Sequence, residues 1–269
     1  MTEDRAGRPW WGSHEVPTRG RLELTLGALT LWVTRLEREW RIGAVRDPDT
    51  LRAGVAVRVY GEGDPGAQAD DSQWDRFAQG ETSGRITLTP GLMDRAFVVR
   101  PYAKLHLLPN QQVVVYVTTP LVVRLSDDMD SVPMVEVPVT RPSETWHGAN
   151  TIEGTVCYAG RTHARLQAEL LERRESRATT AIRLHNRGSQ PYWVEKLYVP
   201  VPRLALWEDI ATGALHTDSL TLTRERGDEE IEVHEGPPWP GAQPVARARE
   251  SEQGVSVLAM LNQFWGGGL

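Results

Sequence analysis

The sequence predicts an all-β protein, and three observations carry that expectation. Short segments rich in β-branched and aromatic residues recur along the chain, and each closes on a turn signal. The turn signals come roughly every 8–12 residues, which gives about fifteen short strands and no alternating βαβ pattern. Within several segments apolar and polar residues alternate. In Arg21-Leu22-Glu23-Leu24-Thr25-Leu26 the three leucines share one face of a half-buried strand. The expected architecture is antiparallel and β-sandwich-like, with two packed β lobes and little helix.

In chain order, Arg21 to Leu26 and Leu29-Thr30-Leu31-Trp32-Val33-Thr34-Arg35-Leu36 are strands on either side of a break at Gly27. Glu39-Trp40-Arg41-Ile42 continues the pattern, 47–53 suits one helical turn, and Val55 to Tyr60 is a strand. Residues 61–72 carry Gly, Asp, Pro, Gln and Ala without apolar periodicity and read as a loop. Strand pattern resumes at 84–88 and is expected to turn at Thr89-Pro90-Gly91. The block 97–140 is the most continuous β stretch. Its expected strands are 98–108, 112–118, 121–125 and 134–139, divided by Pro109-Asn110, Thr119-Pro120 and Asp127-Asp128-Met129-Asp130. Thr145-Trp146-His147-Gly148 reads as a loop and 154–159 as a strand, while 164–174 leans helical on its Glu, Arg, Leu and Ala content. Further strands are expected at 181–185, 193–201, 204–207, 220–224, 230–233 and 255–264. The plausible division is an N-terminal β lobe, 1–140, and a C-terminal β lobe, 141–269, with a single domain as the alternative.

A formal net charge of −6 and a pI near 5.7 leave no overall basic footprint for phosphate backbones, so no nucleic-acid partner is expected. Lys104 and Lys196 are the only lysines, which reads as a coding preference for arginine rather than dedicated anion recognition. Cys157 is the single cysteine; it permits no intramolecular disulfide and no Cys-based zinc site. The charged start, Met1-Thr2-Glu3-Asp4-Arg5, lacks the apolar run of a signal peptide. No stretch approaches the roughly 18 apolar residues of a spanning helix. A soluble, cytoplasmic protein without direct membrane insertion is expected.

Catalytic chemistry is hard to find. Cys157 lies near His147 and His163 in sequence, but Val156-Cys157-Tyr158 is a strand in which a small buried thiol is the ordinary occupant. The seven histidines show no metal-ligand spacing, and Asp127, Asp128 and Asp130 read as turn residues. No metal, no cofactor and no catalytic residue is assigned. The tryptophans are the unusual feature, ten against three phenylalanines. Trp32, Trp40 and Trp207 fit strand cores, whereas Trp10, Trp11, Trp146 and Trp239 fall among loop residues, where they plug a sandwich end or form a recognition surface. The binding candidates are therefore Trp11, Trp146, His147 and Trp239, rimmed by Arg141 and Arg203.

Ordered pieces along nearly the whole chain give a resemblance. They include Trp11-Gly12-Ser13-His14-Glu15, Leu29-Thr30-Leu31-Trp32-Val33 leading to Glu39-Trp40-Arg41, and Thr145-Trp146-His147-Gly148 followed by Glu153-Gly154-Thr155-Val156-Cys157-Tyr158-Ala159. Ile182-Arg183-Leu184-His185-Asn186, the run from Val199 to Trp207, and Glu235-Gly236-Pro237-Pro238 complete the set. In these the chain resembles the prokaryotic family known as domain of unknown function 432, which brings no activity and no catalytic residues to transfer. The resemblance implies company instead, because genes of this family often lie beside genes for small-conductance mechanosensitive channels.

The expected function is thus a non-enzymatic interaction or accessory subunit whose protein partner is the cytoplasmic domain of such a channel. One alternative is a small-ligand or carbohydrate-binding module stacking its ligand on Trp146 and Trp11. Another is an enzyme with a site between Trp146 and Cys157, using His147, Glu153, Cys157 and His163.

Overall fold

A computed structural model describes residues 9–64, 74–127, 132–148, 154–171, 174–226 and 228–250. The strands in chain order begin with β1 (Gly12–Glu15), β2 (Arg21–Leu26), β3 (Leu29–Arg35), β4 (Glu39–Arg46), β5 (Val55–Tyr60), β6 (Trp74–Ala78) and β7 (Arg85–Leu92). They continue with β8 (Phe97–Val99), β9 (Leu105–Leu107), β10 (Gln112–Asp127), β11 (Val135–Pro138), β12 (Glu144–His147) and β13 (Thr155–Ala159). The last group is β14 (Arg177–Asn186), β15 (Tyr192–Val194), β16 (Leu197–Val199), β17 (Leu206–Asp209), β18 (Ala214–Thr217), β19 (Ser219–Glu225), β20 (Asp228–His234) and β21 (Gln243–Ala246). Among the described residues there is no α-helix; Ala168–Leu170 and Val201–Arg203 are single 3-10 turns. The protein is all-β, as its alternation requires.

Two compact units are assembled from discontinuous segments. The first is Met1–Gly91, Pro120–Arg141 and Arg174–Ser176; the second is Leu92–Thr119, Pro142–Arg173 and Arg177–Leu269.

In the first unit five antiparallel strands lie in the order β5-β2-β3-β4-β6. The registers Leu24↔Leu31 and Val33↔Ile42 put Leu22, Leu24, Leu26, Leu29, Leu31, Val33, Trp40 and Ile42 on one face, and all are buried. Each such side chain contributes about 1.5–3 kcal/mol by leaving water, and together they define the sheet's inner side. That side faces the strands β1, β7, β11 and the C-terminal half of β10. Trp40 Nε1 donates to Asp127 Oδ2 at 2.6 Å, and Arg46 Nε donates to the Pro138 carbonyl at 2.8 Å. Ile86, Leu88, Leu121, Val123 and Leu125 supply the opposing core. On the other face Trp32 Nε1 donates to Glu23 Oε2 at 3.0 Å across the β2–β3 pair.

In the second unit β12, β13, β8 and β16 form one sheet in that order, and β9 pairs with β15. A further sheet carries the N-terminal half of β10, then β14 with both β18 and β19 beside it, β17 and β21 beyond β18, and β20 beyond β19. Ile182, Leu184, Leu220, Leu222 and Val233 form the buried face of its β14–β19–β20 part.

Several expectations are corrected. Pro90-Gly91 and Thr119-Pro120 do not turn: β7 runs through the first and β10 through the second. Proline removes a ladder donor, which normally confines it to edges. Here Pro120 stands where β10 passes from the second unit to the first, and the next amide, of Leu121, donates to the Ser176 carbonyl at 3.1 Å. The expected strand 98–108 is two strands, because the chain leaves the ladder after Val99 and each half finds different partners. The lean toward helix at 164–174 is also overturned. Ala164 bridges Pro101 and Arg165 bridges Tyr116, so tertiary pairing outweighs a weak helical propensity, and one 3-10 turn remains. The expected helical turn in 47–53 is an Arg52-to-Asp49 amide turn braced by the Asp47 and Asp49 side chains. Asp127 ends a strand rather than opening a turn, with Asp128 and Asp130 outside the described residues. The expected strand at 255–264 also lies outside them.

Candidate functional site

The binding candidates from the sequence divide between the units. Trp11 and Arg141 belong to the first; Trp146, His147, Arg203 and Trp239 belong to the second. Trp11 is half-buried, edge-on to the buried Trp10 with ring centroids 5.4 Å apart. Arg141 is exposed. Trp239 is half-buried and meets His216 edge-on at 4.6 Å.

Trp146 and His147 are not loop residues. They form β12, paired with β13 in the register Thr145↔Cys157, Trp146↔Val156 and His147↔Thr155. The missed signal is the alternation across Glu144-Thr145-Trp146-His147, which four residues are too few to make visible. Because a strand points successive side chains to opposite faces, Trp146 and His147 part company. His147 shares its face with Thr145, Cys157, Val98 and Tyr198, whereas Trp146 lies with Val156, Tyr158 and Phe97. The Trp146 Nε1 is buried without a hydrogen-bond partner.

On the first of these faces the His147 and Tyr198 rings lie 4.7 Å apart, and Tyr198 packs on a small cluster of Ala96, Val98 and Cys157. Burial is the main influence on each titratable group. It holds the His147 imidazole below its ordinary range, with Glu229 opposing and Lys196 assisting. It raises the Cys157 thiol. It also raises the Tyr198 phenol, aided by Cys157 and Glu250 and opposed by Arg203. All three therefore favour their neutral forms, and Cys157 Sγ, fully buried, donates to the Thr155 carbonyl at 3.4 Å. A raised, buried thiol is a poor nucleophile. His163 stands elsewhere, edge-on to Tyr102, and Glu153 lies outside the described residues. The structure thus sets His147 beside Tyr198 and leaves Trp146 on the opposite face, while Arg203 closes the 3-10 turn Val201–Arg203.

A second feature escaped the sequence reading. Of the described tryptophans only Trp193, 49% accessible, is exposed. The β9–β15 register sets it opposite His106, and the two rings stack at 5.0 Å. Lys104 Nζ lies 5.6 Å from the same indole centroid. Just before β9, Tyr102 is 64% exposed, yet the Arg165 guanidinium covers its ring at 3.5 Å and His163 meets it edge-on at 6.0 Å. The bridges of Ala164 to Pro101 and Arg165 to Tyr116 fix the backbone from which that guanidinium reaches the ring. Leu108 and Leu166 are exposed beside these residues in the chain. The available signal was Tyr102-Ala103-Lys104-Leu105-His106-Leu107-Leu108, an aromatic and basic alternation read as an ordinary strand.

These features define an all-β protein with an exposed, cation-backed aromatic surface and a half-buried His-Tyr face over the buried Cys157. The family model described as "Protein of unknown function (DUF432)" matches residues 10–261, so the chain belongs to that family. No curated protein and no solved structure matches the chain. Among the described residues no helix is long and apolar enough to cross a membrane.

Proposed function

We propose that this protein is a non-enzymatic interaction subunit. It docks through Tyr102, Lys104, His106, Arg165 and Trp193 onto the cytoplasmic domain of a small-conductance mechanosensitive channel. The observation that supports the contact is the exposure of Trp193 and Tyr102 while both rings are already held by neighbouring side chains. Tryptophan, tyrosine and arginine dominate binding hot spots, and rings held in place lose little further freedom on docking. The partner's identity rests on the gene neighbourhood of the family, and the same reading places the protein in the cytoplasm, without a cofactor.

The test is binding of the full chain to the purified cytoplasmic domain of a neighbouring channel. Trp193→Ala and Tyr102→Ala should each weaken binding by about 2 kcal/mol, roughly thirtyfold, with an unchanged melting curve. Absence of saturable binding overturns the reading. Saturable quenching of Trp fluorescence by an oligosaccharide, lost in Trp193→Ala, would favour the carbohydrate-binding alternative.

A further inference from the structure

On the solvent side of the β14–β19–β20 part of its sheet, the second unit has a hollow of about 220 Å³ lined by Val114, Ala181, Arg183, Ser219, Thr221 and His234. The registers explain it. Ile182↔Leu220 and Leu220↔Val233 point inward, so the residues on either side, Ala181 and Arg183, Ser219 and Thr221, and His234, must point outward. Small side chains at Ala181 and Ser219 leave the floor low, and the longer Arg183 and His234 stand above it. The volume is that of about seven liquid waters and lies below the roughly 300–1,000 Å³ of drug-sized pockets. It suits a small polar group.

The lining is rich in donors. Arg183 is exposed, and no described carboxylate pairs with it, whereas Arg124 holds Glu136 at 2.7 Å and Arg224 holds Glu229 at 2.8 Å. The nearest acid in register is Glu232, opposite Thr221 on the strand beyond, about two strand spacings or 9–10 Å from Arg183. Glu232 is instead turned toward His234, its Oε1 3.8 Å from Nδ1, and His234 Nε2 lies 2.6 Å from Thr221 Oγ1. The imidazole and the Thr221 hydroxyl are therefore held together on one side of the hollow, leaving the guanidinium fork and the Ser219 hydroxyl free to meet a ligand. An uncompensated guanidinium beside hydroxyls favours an oxyanion, whose paired oxygens match the fork.

We infer that this hollow binds a small oxyanion, the group shared by phosphates and carboxylates, with Arg183 as its main ligand and Ser219 and the Thr221–His234 pair around it. The inference is independent of the docking surface described above. Calorimetric titration of the full chain at constant ionic strength, with inorganic phosphate in one arm and acetate in the other, tests it. One-site saturation is expected in at least one arm, and the tighter arm names the class. Arg183→Gln should weaken that binding by about tenfold or more. Ala181→Leu, which fills the floor without altering charge, should do the same, and Arg187→Gln, an exposed cation outside the hollow, should not. Circular dichroism confirms that each variant keeps its fold. Saturation in neither arm overturns the inference, as does binding that survives both Arg183→Gln and Ala181→Leu or falls equally in Arg187→Gln.

Discussion

Trp40 and Trp146 carry the same indole into opposite situations. Trp40 is fully buried and its N–H meets the Asp127 carboxyl at 2.6 Å; the Trp146 N–H is buried with no acceptor. Trp40→Phe takes the indole donor from a carboxyl that is itself 1% exposed. The expected cost is about 1.5–3 kcal/mol. Trp146→Phe removes a group that gains nothing from its burial, so it should stay within about 1 kcal/mol of the wild type. Urea unfolding of the two variants side by side checks the contrast, and equal losses would refute it. His147 supplies a pH dependence. Burial depresses its folded pKa below the ordinary value of about 6.5, so the unfolded chain takes up a proton that the folded protein resists. This contribution to stability is complete above about pH 6.5 and is lost as the pH falls through the unfolded value toward the lower folded one. His147→Gln should accordingly lose less stability than wild type between about pH 7 and pH 5. Parallel losses would show that His147 is not responsible.

At the scale of elements, alternation located most strands, and the failures share one cause. Thr89-Pro90-Gly91 and Thr119-Pro120 carry turn composition, yet both lie inside strands because their neighbours across the sheet supply the geometry. Gly91 shows what that geometry demands. A Cβ there would lie 2.6 Å from Arg124 Nε, and Arg124 is committed to Glu136 on the adjoining β11. Gly91→Ala should therefore displace the arginine and cost about 1–3 kcal/mol. The denaturation midpoint should fall with an unchanged slope, and adding Arg124→Ala should then cost less than it does in the wild-type background. Full additivity would mean that the two residues do not crowd each other. The His-Tyr-Cys face was legible only in its members: His147 and Cys157 were singled out, but Tyr198 joins them through a β8–β16 pairing that no local pattern encodes.

For the whole molecule, the chain crosses between its units at 91/92, 119/120, 141/142, 173/174 and 176/177. Bonds within a unit consequently span long separations: Trp10 Nε1 donates to the Glu175 carbonyl across 165 residues, and Arg249 to the Leu92 carbonyl across 157. Such pairings must close large loops before they are rewarded, so slow folding is expected for a domain of this kind. A fragment comprising residues 1–141 carries β8 without β13 and β16, and β9 without β15. Phe97, Val98, Val99 and Leu107, buried in the full chain, would lose their cover. That fragment should give a poorly dispersed amide spectrum and aggregate, in contrast to the full chain. A well-dispersed, cooperatively melting fragment would show that β8 and β9 do not need β13, β15 and β16 to stay covered.

The sequence by itself determined the all-β class, the position of most strands, the inward leucine face of β2 and the burial of Cys157, because alternation and side-chain volume are local properties that survive almost any partner. Which strands pair, where a proline is tolerated, and which aromatic stays exposed were decided by tertiary structure. Trp193 illustrates the difference. It reads like any strand tryptophan, and only the pairing of β15 with the short β9 leaves it uncovered, stacked on His106 beside Lys104. Exposure depends on what lies across the sheet and above it, and those neighbours arrive from distant parts of the chain.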